Sequence, residues 1–139
     1  MTTLLLSLPH ALASQECKCR APEPGATTRK GYFESVVIQS NTRYRQLIGI
    51  VSLADHPVDD VLVELFPYSK DASVTRTRLA ACVTDSDGRY CFANAPKGRY
   101  EVRVSKDGGF EITHVNVYVD PRNPKASFAE LRITLELGK

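Results

Sequence analysis

Thr84-Asp85-Ser86-Asp87-Gly88-Arg89-Tyr90-Cys91-Phe92, with Ala95-Pro96-Lys97-Gly98-Arg99-Tyr100 close behind it, is the stretch whose reading decides the fold. Asp85 and Asp87 are suited to bonding backbone amides, and Gly88 supplies a positive φ. Val83 and Tyr90 on either side carry strand-forming side chains, so the segment reads as a tight turn closing a hairpin. Pro96 and Gly98 mark a second turn. With Asp85 to Gly88 as the turn, Thr84 faces Arg89, Val83 faces Tyr90 and Cys82 falls opposite Cys91. Directly opposed residues on antiparallel strands lie at a separation that a disulfide can bridge. A Cys82–Cys91 bond is therefore expected.

Outward from this turn the punctuation is regular. Apolar or alternating runs near 46–53, 60–67, 79–84, 89–94, 98–105, 110–119 and 129–137 are separated by turn residues, which predicts an all-β, antiparallel sandwich of about seven strands. Tyr100-Glu101-Val102-Arg103-Val104 and Leu131-Arg132-Ile133-Thr134-Leu135 alternate cleanly, with one apolar and one charged face. Beyond Phe110 the apolar phase changes between Ile112 and Val115, which predicts a bulge or a change of sheet near Thr113-His114. Phe33 to Ile38 reads as a first strand or as an arm lying along the sandwich. Tyr68 to Arg78 and Pro121 to Lys125 read as surface loops.

The 139 residues suit one domain with an extension. Leu4-Leu5-Leu6-Ser7-Leu8 through Ala13 is apolar but too short to span a bilayer, and Ala11 and Ala13 give a small-x-small pattern. Residues 1–14 are therefore expected to be a signal peptide, although Met1-Thr2-Thr3 lacks the usual basic residue. Residues 15–45, which contain the Pro-, Gly- and Thr-rich 20–30, are expected to be an arm or linker, and 46–139 the sandwich. An even count of four cysteines fits a secreted, periplasmic or cell-envelope setting; four cysteines allow three pairings, and those of Cys17 and Cys19 are left open. With 18 Lys and Arg against 16 Asp and Glu, scattered along the chain, the net charge of +2 gives no nucleic-acid footprint.

The ordered set Gly49-Ile50-Val51, Pro57 to Leu65, Thr84 to Phe92 and Gly98 to Val104 resembles the carboxypeptidase regulatory-like domain. That resemblance covers roughly residues 46–119. It implies a transthyretin-like, prealbumin-like or immunoglobulin-like Greek-key sandwich acting as an accessory module. The chain departs from the pattern at Asp60, where glycine is usual, and in its cysteine pair about the turn.

Motifs of enzymes with neighbouring folds are missing. His56 and His114 lack the His-x-x-Glu spacing of a zinc carboxypeptidase, and they do not form the His-x-His of a ring-cleaving dioxygenase. The C-terminus, Leu135-Glu136-Leu137-Gly138-Lys139, lacks the Tyr-Arg-Gly-Ser of hydroxyisourate hydrolases. Asp85-x-Asp87-Gly88 resembles the start of a calcium loop, but Arg89 stands where a further ligand would be expected. The expected function is thus a non-catalytic, exported binding or interaction module with no cofactor, metal or membrane span. The sequence does not identify its partner; a carbohydrate or other envelope polymer and an envelope protein are the candidates, a structural or protein–protein interaction accessory role is the alternative, and a small enzyme of the transthyretin fold is the least favoured. Tyr118, of opposite parity to Val117 and Val119, is expected to be exposed and, with Asn116 and Tyr68, forms the candidate binding set. Asp85, Asp87, Gly88, Pro96 and Gly98 are expected to be structural turn residues, and His114 a half-covered strand residue with no partner identified.

Overall fold

The computed structural model describes residues 19–29, 35–71 and 74–138. The expected leader at 1–14 and Cys17 lie outside the described residues. Nine strands follow one another: β1 Ser35–Tyr44, β2 Leu47–Leu53, β3 His56–Pro57, β4 Leu62–Pro67, β5 Ala80–Val83, β6 Arg89–Phe92, β7 Gly98–Ser105, β8 Ile112–Val119 and β9 Leu131–Thr134. Seven of them fall on the expected runs. The other two are β1, which begins in the stretch read as a first strand or an arm, and the two-residue β3.

A five-stranded sheet has the order β1-β8-β7-β4-β5. In the second sheet β2 is central, pairing antiparallel with β3 and β6 and parallel with β9. The pairing is mixed rather than wholly antiparallel, because β1 also runs parallel to β8. Between the sheets lies a core that includes Leu47, Val51, Tyr90, Val102, Val117 and Ile133, each contributed by the inward parity of its strand. Strand β4 is buried on both faces: Val63 and Leu65 join the core, while Leu62, Glu64 and Phe66 lie under covering segments. A near-continuous apolar run is what two covered faces require.

The turn at 85–88 forms, but it does not close a hairpin. Asp85 Oδ1 accepts from the amides of Asp87 and Arg89 at 2.9 and 3.0 Å, and Gly88 takes φ 72°. A Cβ at Gly88 would stand 2.5 Å from the Val51 carbonyl oxygen, so both the φ and the close approach call for glycine. Its flanking strands part into different sheets, with β5 pairing β4 and β6 pairing β2. Thr84 sets this parting. Its hydroxyl donates to Val58 O at 2.7 Å and accepts from Val61 N at 3.0 Å, pinning the end of β5 to the β3–β4 connection.

The expected Cys82–Cys91 disulfide is consequently wrong. Cys82 pairs in register with Val63 and Cys91 with Ile48, on opposite sheets. Cys82 is bonded instead to Cys19, 63 residues earlier, with a Cα–Cα distance of 5.6 Å. Cys91 is itself disulfide-bonded. The segment 19–29 is thereby strapped to the five-stranded sheet: Val83 N donates to Arg20 O at 2.7 Å, and the Arg29 amide donates to Ser105 Oγ at 2.9 Å.

The phase change expected near Thr113-His114 also lies elsewhere. Strand β8 alternates regularly from Ile112, and Thr113 and His114 stay in register with Val104 and Arg103. The chain changes edge earlier, where Phe110 bridges Leu137 and the Glu111 amide donates to Glu136 O at 2.9 Å. The register shift in this sheet falls in β1, between Gln39 and Arg43. At the second turn Tyr100 Oη donates to Pro96 O at 2.6 Å; Asn94, not Gly98, takes the positive φ, of 61°. Asp60, at the position where glycine was expected, also takes a positive φ of 61°, which an aspartate tolerates better than most residues.

Candidate functional site

Strand parity puts His114, Asn116 and Tyr118 of β8 on the sheet face turned away from the core, with Arg99, Glu101 and Arg103 of β7 beside them. Register then arranges three rows across β7, β8 and β1. Arg99, Tyr118 and Arg43 make the first, Glu101, Asn116 and Gln39 the second, Arg103, His114 and Val37 the third.

In the first row the Arg43 guanidinium lies over the Tyr118 ring at 4.6 Å from its centroid, and Arg99 lies over Tyr68 at 4.4 Å. Each stack combines a cation with the electron-rich ring face and holds the aromatic in one orientation. Tyr118 is half-buried rather than fully exposed, because Arg43 covers part of it.

Two open hollows, of about 300 and 330 Å³, lie on this face and share Gln39 and Asn116. Arg43, Arg99 and Tyr118 line the first; Tyr68, Lys70, Arg76 and His114 are among those lining the second. Together they form one polar trough along β8. The structure thus brings Tyr118, Asn116 and Tyr68 to a single surface. Among the described residues, the carboxamides of Gln39 and Asn116 hold no hydrogen-bond partner, and the Arg99 guanidinium has only its ring contact.

The floor of the trough is an ion cluster that alternation alone did not reveal. Glu101, expected on a wet face, is buried at 4% exposure. Arg76 Nη2 reaches its Oε1 at 2.8 Å, while Arg103 Nε and His114 Nδ1 each donate to its Oε2 at 2.7 Å. Burial pushes the Glu101 carboxyl up, but the bonds from His114 and Arg103, and the charges behind them, hold it down at about 2. Such a carboxylate stays ionised at neutral pH and has no proton to deliver. Its role is to anchor the surrounding cations.

Glu64, also buried, sits in a parallel arrangement under the 19–29 strap. Thr28 Oγ1 donates to its Oε1 at 2.6 Å, and Arg78 Nη1 donates to its Oε2 at 3.0 Å. Arg103 links the two clusters by donating to Thr28 Oγ1 at 3.2 Å, with its guanidinium 4.0 Å from the Phe66 centroid. The loop read as a plain surface connection therefore supplies Arg76 and Arg78 as lids over buried carboxylates. Only the polar, mixed-charge character of Tyr68 to Arg78 hinted at this.

A larger hollow of about 610 Å³ lies beside Cys19, Cys82 and Cys91, lined by apolar side chains such as Leu65, Leu79, Phe92 and Tyr100. Among the described residues no charged side chain lines it. His56 is exposed on β3. The Asp85 carboxylate is spent on its own turn. No group of three metal-ligating side chains occurs among the described residues, and no helix there is long and apolar enough to cross a membrane.

Residues 46–133 match the family model of the SdrD B-like domain. No curated protein and no solved structure is similar enough to match. The transthyretin-like sandwich implied by the sequence pattern agrees with this family's immunoglobulin-like, prealbumin-like fold.

Proposed function

The chain belongs to the SdrD B-like domain family, whose members are structural, non-enzymatic modules of bacterial surface proteins, and on that premise we propose that it is an exported binding module for a saccharide-type envelope polymer. The trough shared by Gln39 and Asn116 carries this reading. It is long, shallow and polar, and it presents two unpaired carboxamides between two arginine-backed tyrosines. Sugars are bound by such sets: amides and guanidinium groups meet the hydroxyls, and an aromatic ring face meets the C–H face. The disulfide to Cys19 suits the oxidising setting that export implies.

The test is retention of the full, disulfide-intact chain on fractionated envelope polysaccharide, with competition by free sugar. Asn116→Ala and Tyr118→Ala are expected to lose retention while keeping the melting transition of the parent. Unchanged retention in both variants would remove the trough from the binding function.

A further inference from the structure

Strand β1 is the outer strand of the five-stranded sheet, and among the described residues most of its far side has no partner. Among them it is covered there only at its last residues, Ser127 N donating to Arg43 O at 2.7 Å and Arg45 N to Ser127 O at 2.9 Å. Over 35–41 no strand among the described residues pairs with that side. The opposite edge of the same sheet is treated differently: β5 is capped by the bridge between Arg20 and Val83 and by the Cys19–Cys82 bond.

Exposed edges are normally blunted by charge, proline or a covering segment. Ser35-Val36-Val37-Ile38-Gln39-Ser40-Asn41-Thr42 has no charged residue, no proline and no glycine. Val37 is 63% exposed and Ile38 41%, on opposite faces of the strand. The register shift of β1 falls after Gln39, so 35–39 is a regular, unprotected, β-branched edge and a template for strand addition.

We infer that this edge pairs with the same edge of a second copy of the chain, antiparallel, about a two-fold axis perpendicular to the sheet. The segment is complementary to itself. A centre on Val37 sets Val37 against its copy and Val36 against Ile38, so like faces meet on both sides. Neutrality removes the repulsion that a self-contact would otherwise meet, whereas the neighbouring trough carries Arg43, Arg99 and Lys70. Such an isologous contact closes on itself and stops at two copies. It joins the two five-stranded sheets into one of ten and turns both troughs to the same side.

Analytical ultracentrifugation of the full, disulfide-intact chain over a wide concentration range tests this. Association to twice the protomer mass is expected, together with slowed amide exchange over 35–41 as the dimer fills. The Val37→Lys, Ile38→Lys double variant should weaken association by about tenfold or more while keeping the parental circular dichroism and melting transition. A parent that stays monomeric at the highest concentration overturns the inference. So does a lysine variant that associates as tightly as the parent, or a monomeric parent whose edge captures a foreign extended Val/Thr-rich peptide instead.

Discussion

Tyr90 Oη donates to the carbonyl oxygen of Leu131 at 2.8 Å, and the bond passes directly over Gly49. Gly49 is in register with Tyr90 on one side and Leu131 on the other, so the phenol stitches β6 to β9 across β2. A Cβ at Gly49 would stand 2.0 Å from Leu131 O and 2.2 Å from Tyr90 Oη.

Gly49→Ala is therefore expected to cost roughly 3 kcal/mol or more, read by urea unfolding, because neither a backbone carbonyl nor a buried ring can give way. Tyr90→Phe should cost about 1–2 kcal/mol, the loss of a buried hydrogen bond. Combining them should not restore stability, since the carbonyl of Leu131 still blocks the methyl. Burial also raises the ionisation of Tyr90 well above its usual range, so its phenolate should appear only as the protein unfolds in alkali.

The Cys19–Cys82 bond closes a separation of 63 residues, for which chain-entropy reasoning gives about 4 kcal/mol of stabilisation. Non-reducing peptide mapping should recover the peptides of Cys19 and Cys82 linked to one another. A linked pair containing Cys82 and Cys91 would contradict the separation of β5 and β6 into two sheets. Cys19→Ser should release the 19–29 strap and speed amide exchange in β5.

Glu101 makes stability depend on acidity in a defined direction. Its carboxyl titrates at about 2 in the folded chain against 4.5 for the ordinary group. The stabilisation is complete above 4.5 and is lost as the pH falls through about 2, where the folded state at last takes up the proton. That difference corresponds to about 3 kcal/mol. Urea unfolding from neutral pH down to about 2 should show this loss in the parent. Glu101→Gln should be less stable at neutral pH, because Arg76 and Arg103 lose their counter-charge, yet flatter toward acid. An equal acid slope in both proteins would remove Glu101 as its source.

Arg99 separates binding from folding. It is exposed, and its guanidinium touches only the Tyr68 ring among the described residues. Arg99→Ala should leave the unfolding midpoint nearly unchanged, within about 0.5 kcal/mol, and reduce retention on polysaccharide several-fold. Full retention would show that this end of the trough makes no contact with the polymer.

The strand series and most of the core were legible in the sequence, because period-two alternation is a local property of the backbone. Tyr90, Phe92, Tyr100 and Val102 share the inward parity that their neighbours dictate, and Tyr118 and Asn116 the outward one. Turn chemistry at Asp85 and Gly88 was equally local. Which strands a turn joins is not. A turn of this kind serves a hairpin or a crossing between sheets, and Thr84 decides the matter through partners 23 and 26 residues away. The bonding of Cys82 to Cys19 follows from that crossing. Glu101 and His114 show the same division: parity placed both on the outer face, but only the register of β7 and β8, with Arg76 arriving from a loop, made them one buried ion cluster. Side-chain direction is set by adjacent residues. Partners and burial are set by where distant strands come to rest, and only the tertiary structure decides that.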